Sequence, residues 1–186
     1  MSQPLPKDRL KQLEETILAL PADKQWQVAD FVDFLTERSM AEAEDWFWGL
    51  IGLIDLDHGD SEEATAALVD QLSKQDDKLI HQFYDTLAVK LSALDGPAYF
   101  DYSSGSADSF LYERALVVGQ GKKAYNTVLD NPSTFPTGGE LQYLLSIASR
   151  AYEIKHGTDM THVPSVVYES FWNKRLWGEE VVAIHA

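Results

Sequence analysis

Asp101, Asp108, Tyr112, Glu113 and Arg114 are the side chains of this sequence best grouped for chemistry. They bracket a turn-rich, aromatic stretch, Ala98-Tyr99-Phe100-Asp101-Tyr102-Ser103-Ser104-Gly105-Ser106, and the start of the helix that follows it. Polar groups on a loop beside aromatic rings can line a binding pocket, and carboxylates with a phenol there can bind a ligand or move a proton. A purely structural use of the same residues is open too. Asp108 is spaced to cap the helix, and Arg114 can pair with Asp101 or Asp108 to fix the loop. Asp101, Asp108, Tyr112 and Arg114, with Trp48 from the most aromatic stretch of the chain, form the candidate binding set. No catalytic residue is assigned.

Other motifs fall short of their chemistry. Gly119-Gln120-Gly121-Lys122-Lys123-Ala124 has the spacing of a dinucleotide fingerprint, yet its flanks read as helix and no alternating strand–helix units surround it. It is not a phosphate loop either, because Lys122 is followed by Lys123 where Ser or Thr belongs. Close helix packing accounts better for the glycines. Asp55-Leu56-Asp57-His58-Gly59-Asp60 departs from a calcium loop, with glycine fifth instead of sixth and Ala66 at the position of the bidentate glutamate. His58, His81, His156, His162 and His185 are scattered, without the paired spacing of a zinc hydrolase. There is no cysteine, which removes disulfides, thiolate metal sites and thiol nucleophiles. No metal or cofactor is expected.

Charge gives the second candidate surface. The 186 residues carry a formal net charge of −15. Between Ala41 and Asp77 there are 11 acidic residues and a single basic one, Lys74. Such a balance repels phosphate backbones and argues against nucleic acid. It is the charge of a solvated helix face, or of a docking surface for a basic partner. Asp55, Asp57, Asp60, Glu62 and Glu63 are the candidate acidic interaction surface. The N-terminus has no apolar signal core and no segment is long enough to span a bilayer, so a cytoplasmic protein without membrane contact is expected.

The elements that must hold these residues all read as helices. Leu10, Leu13, Ile17 and Leu20 mark a first amphipathic helix, stopped by Pro21; Val28, Phe31, Val32 and Leu35 mark a second. Ser39 with Glu42 has the form of a capping box, so a fresh helix and a module boundary are expected there, giving an N-terminal helical hairpin over 1–38 and a helical domain over 39–186. Phe47, Leu50, Ile51 and Ile54 make one buried stripe, and Gly49 and Gly52 within it suggest a close backbone approach. A short helix follows around Ala64–Leu72. The cleanest helix runs over about 74–94, with Ile80, Phe83, Leu87, Leu91 and Leu94 on one face. A bent helix is expected over 108–129, another from Leu141 to Lys155 closed by Gly157, and a last short one around Val167–Trp172. Nothing alternates with period two over strand length. The expected fold is all-α, a single multi-helix bundle domain preceded by the N-terminal hairpin.

Taken in order, Phe47-Trp48-Gly49-Leu50-Ile51, Ala98-Tyr99, Asp108-Ser109-Phe110, Arg114-Ala115-Leu116-Val117-Val118-Gly119-Gln120-Gly121-Lys122, Leu129-Asp130-Asn131-Pro132 and Ala151-Tyr152-Glu153 resemble a bacterial family known as domain of unknown function 4240. The resemblance covers about 44–157, with the 164–172 tail as an extension. It departs at Asp95-Gly96-Pro97, where the family has tryptophan-glycine, and at Asp108-Ser109, where an acidic pair is reduced to one. Leu20-Pro21-Ala22-Asp23-Lys24-Gln25 and Val28-Ala29-Asp30-Phe31-Val32-Asp33-Phe34-Leu35 are similar to small antitoxin-like helical proteins. Neither resemblance implies an activity. With no recognisable catalytic constellation, the expectation is a non-enzymatic, acidic interaction or regulatory module with a basic protein partner. The alternative is an enzyme or small-ligand binder built on Asp101–Arg114. A third use makes the N-terminal hairpin a dimerisation or docking element.

Overall fold

Every regular element in the computed structural model, which describes residues 4–179, is helical, and no strand occurs among those residues. The chain divides into two compact units, Met1–Asp45 and Trp46–Ala186.

In the first unit, α1 (Lys7–Leu18) leads through Ala19-Leu20-Pro21 into α2 (Ala22–Ile51). The Gln25 side-chain amide donates to the carbonyls of Leu18 and Leu20, fixing the turn. Leu13, Ile17, Leu20 and Val28 are half-buried. No residue of α1 is buried, and the buried residues of α2 begin only at Phe47. The expected helix start at Ser39 is absent, because α2 runs straight through it. The segment Thr36 to Asp45 contains neither Gly nor Pro, and a Ser-x-x-Glu pattern inside a run of helix formers has no free N–H groups to cap.

The second unit holds the core. The last turns of α2 bring in Phe47, Trp48, Leu50 and Ile51. They pack with α3 (Glu62–Ser73), α4 (Asp77–Ala93), α6 (Ala107–Gly119), α7 (Lys122–Asp130) and α8 (Ile147–His156), around Leu68, Leu72, Phe83, Leu87, Leu91 and Phe110, each at most 1% exposed. The two smallest helices are α5 (Pro97–Phe100) and α9 (Lys174–Trp177). The helix expected over 108–129 is two helices. Gly119 is the last residue of the first, where an added Cβ would clash with the buried Leu141 side chain. Gly121 opens the second at φ +91°, a conformation L side chains rarely adopt. The motif's two glycines are therefore explained by packing and turn geometry. No such reason attaches to Gly49, where an added Cβ would meet nothing; at Gly52 it would meet only carbonyl oxygens at ordinary contact distance. The close approach expected at that pair is not found.

The expected helix around Val167–Trp172 is also absent. Instead, residues 158–173 form an irregular strap. Its end is pinned by Asp95, whose buried carboxylate accepts the backbone N–H groups of Phe171, Trp172 and Asn173 at 2.8–2.9 Å and the indole N–H of Trp177 at 2.9 Å. Three successive N–H groups aimed at one carboxylate, with Phe171 at φ +72°, are incompatible with a helix there. His185 lies outside the described residues.

Candidate functional site

The candidate loop and helix split into a buried half and an exposed half. Glu113 and Arg114 are both fully buried. Glu113 accepts hydrogen bonds from the backbone N–H and hydroxyl of Ser104 and from the Gly138 N–H at 3.0 Å, so its carboxylate ties two loops together. Arg114 pairs with neither Asp101 nor Asp108. Its guanidinium donates to the carbonyls of Leu91 and Tyr168, both at 3.0 Å, and to Ser170 Oγ at 2.9 Å. It also stacks over the Phe110 ring at 4.6 Å. Burial lowers its pKa to about 10, against the pull of Asp95 and Glu169, so the group is still a cation at neutral pH. A guanidinium that reaches the interior takes backbone carbonyls, which no sequence pattern displays.

Asp108 does not cap α6. Ser106 does, its hydroxyl accepting the Ser109 N–H at 3.0 Å, and Asp108 is left exposed in the first turn. There it lines an open cleft of about 630 Å³ together with Tyr112, Tyr143, Ser146, Ser149 and Glu169. Three walls form the cleft. Asp108 and Tyr112 come from successive turns of α6. Tyr143 and Ser146 come from a 3-10 turn (Gln142–Ser146), and Ser149 from the start of α8. The Leu141 N–H donates to the Tyr112 carbonyl at 3.2 Å and joins these two walls. Glu169 comes from the strap, held on both sides: Arg114 binds the Tyr168 carbonyl and Ser170 Oγ, and Ser170 Oγ donates to the Ala107 carbonyl at 2.7 Å. Arg114 thus positions a cleft carboxylate without entering the cleft.

Among the described residues, no lysine, arginine or histidine lines this space. Two carboxylates and two phenols make it a place for a cation, which gains from ion pairing and from the faces of the rings. The serine hydroxyls donate to nearby carbonyls, Ser146 to Tyr143 and Ser149 to Ser146, and among the described residues no histidine stands by to activate them. Asp101 is exposed and does not line the cleft. Trp48 is 8% exposed and packs against Tyr125, with Lys90 Nζ 5.6 Å from its ring centre, so its place is the core. Among the described residues, no group of three or more His, Asp or Glu side chains is arranged to hold a metal ion.

The acidic segment reaches the cleft wall. Asp60 accepts the Tyr143 N–H at 3.0 Å, and Asp55 caps a 3-10 turn (Leu56–His58) while pairing with His58 at 3.2 Å. Glu62 faces Arg150 at 3.4 Å. Ser61 caps α3, and Glu63, held below the usual carboxylate range by its own backbone N–H and the Ser61 hydroxyl, is exposed and fully charged. Asp57 and Glu63 make no ion pair among the described residues. Tyr143, Ser146, Ser149 and Glu169 were not singled out from sequence. The first three recur at a spacing of three, which is the only sequence signal they offer.

No helix among the described residues is long and apolar enough to cross a membrane. No curated protein and no solved structure matches the chain. A family model described as "Protein of unknown function (DUF4240)" matches residues 40–154, which takes in α3 to α7, most of α8 and most of the cleft but neither α1 nor Glu169. That match covers more than half of the sequence, and the chain belongs to the DUF4240 family.

Proposed function

We propose that the Trp46–Ala186 unit is a non-enzymatic binding module whose cleft takes a basic side chain of a protein partner, with the Asp57–Glu63 edge steering that partner in. The carrying observation is the cleft's lining: two carboxylates and two tyrosines, with no cationic side chain among the described residues that line it. Its volume, about 630 Å³, suits a side chain and its neighbours better than a flat surface would. The acidic edge extends the negative field beyond the cleft, which raises association rates with basic partners and makes them salt-dependent. Such a module acts by neutralising or regulating a basic protein, in the manner of an immunity or antitoxin-like protein. A chain without cysteine fits a cytoplasmic setting.

The test is a fluorescence titration with a labelled short peptide of alternating arginine and glycine, at low and high salt. Asp108→Asn with Glu169→Gln is expected to weaken binding about tenfold. Asp130→Asn with Glu153→Gln removes the same charge at exposed residues that do not line the cleft and is expected to weaken it less than about twofold. Equal losses from both pairs, or binding indifferent to salt, would sink the reading. Full displacement of the peptide by spermidine would assign the cleft to a small polycation instead.

A further inference from the structure

Six rings follow one another where the strap crosses the helices beneath it: His156 and Tyr152 of α8, His81 of α4, His162 of the strap, Tyr84 of α4 and Tyr168 of the strap. Neighbouring ring centres are 4.3–6.4 Å apart. The tightest contact joins His81 to His162, with centres 4.3 Å apart and planes 10° from parallel. His162 Nε2 lies 3.1 Å from Asp85 Oδ2, and Asp85 Oδ1 accepts the Ser165 N–H at 2.9 Å. Asp85 therefore holds the front of the strap as Asp95 holds its end. From this geometry we infer that the front of the strap is a proton-operated latch: the stacked imidazoles hold one proton, on His162, and a second, on His81, releases residues 158–165 from α4.

The charges around the stack make it asymmetric. α4 contributes Asp77, Lys78 and Asp85, α8 contributes Lys155 and His156, and the strap contributes His162; the three tyrosines of the column are phenols, uncharged in acid. Two carboxylates thus serve three imidazoles. Asp77 is taken by Lys155 at 2.7 Å and His156 at 2.8 Å, and Asp85 by His162. His81 makes no ion pair among the described residues, and Lys78 lines the same shallow groove beside it. A charged His162 gains from Asp85 and from the neutral ring face of His81. Charging both rings sets two cations face to face with one counter-ion between them. The strap gives way, because α4 is seated by the fully buried Ile80 and Phe83, whereas Val163 beside His162 is 79% exposed. Asp95 and Arg114 bind no histidine among the described residues, so the back of the strap stays in place, and Glu169 with it. The latch and the reading of the cleft stand or fall independently.

Amide hydrogen exchange of the full chain, followed by NMR at about pH 6.5 and about pH 5 with the intrinsic exchange rate divided out, reads the latch at the Ser165 N–H. The Phe171 and Asn173 N–H groups, bound to Asp95, are the internal reference. An imidazole of ordinary pKa, near 6.5, that takes its proton only in the open form makes Ser165 protection fall about tenfold over that interval. The reference amides are expected to keep theirs. His81→Phe retains a ring in the stack and removes the second proton. Acid then adds only the favourable charge on His162, so Ser165 protection is expected to hold or rise. His81→Gln, which has no ring to stack and no proton to gain, is expected to lose the acid effect as well, which separates charge from ring shape. Constant Ser165 protection in the unaltered chain overturns the proposal. So does an equal fall in either His81 variant, or a fall shared by Ser165 and the reference amides.

Discussion

The first helix pair and the second unit carry apolar stripes of equal regularity, yet only one of them is covered. Leu10, Leu13 and Ile17 in α1, and Val28, Phe31, Val32 and Leu35 in α2, repeat as cleanly as Ile80, Phe83, Leu87 and Leu91 in α4. The α4 set is at most 1% exposed; among the described residues of the first unit no side chain is buried. Periodicity therefore tells which face of a helix is apolar, but not whether the same chain supplies its cover. What separates the units is the long-range polar framework. The second unit has Arg114, Asp95 and Glu113, each buried and each bonded across more than one element, whereas the side-chain hydrogen bonds described between Arg9 and Glu42 span at most seven residues.

The contrast breaks most severely at Arg114. Arg114→Met leaves two buried carbonyls and Ser170 without their donor, and is expected to cost about 3–5 kcal/mol in chemical denaturation. A loss below about 1 kcal/mol would mean that this framework is dispensable and that apolar cover alone distinguishes the units. Next comes Gly119→Ala, which drives a methyl against Leu141 and is expected to cost about 1–3 kcal/mol. Gly49→Ala, in the same fold but facing open space in a helix, is expected to stabilise by up to about 1 kcal/mol.

A smaller effect follows from pH. Asp77 at the start of α4 is hydrogen-bonded by Lys155 and by His156 of α8, which lowers its pKa from 3.8 to about 2. Because the folded value lies below the unfolded one, its contribution is complete above about pH 4 and is lost as pH falls through 2. Asp77→Asn is expected to flatten the stability profile across that window and to leave it unchanged at neutral pH apart from a constant offset. An unchanged acid limb would show that the exposed pair contributes nothing. The smallest effect belongs to the first unit. Phe31→Ala is expected to move the unfolding transition of the second unit by less than about 0.5 kcal/mol, read by the burial of Trp48. A larger shift would erase the distinction between the units.

Sequence carried the all-α class, α3, α4, α8 with its Gly157 cap, and the family. It misplaced what depends on competition between local and distant partners. Ser39 and Glu42 have the right types for a helix start, but the helix was already running. Val167, Tyr168 and Phe171 have helical spacing, but the Asp95 carboxylate claims the backbone N–H groups that a helix would keep. Of the candidate site, Asp108 and Tyr112 do line the cleft, because helical spacing alone puts them on one face of α6. Arg114 and Trp48 were drawn inward by burial, and Glu169 joined through a hydrogen-bond chain that begins at Arg114, beyond the reach of any local pattern.

The Asp95 anchor also dictates an order of events during synthesis. Its partners lie 76 to 82 residues further along the chain, so the bonds close one of the longest loops in the molecule. While a ribosome is still making α8, the carboxylate destined for the interior is waiting without donors, and the surface under the strap is open. The strap is made after the helices it lies against, and Glu169 reaches the cleft only once the strap is in place. A chain cut before the strap would keep α3 to α8 and lose both the donors of the Asp95 carboxylate and the Glu169 wall of the cleft.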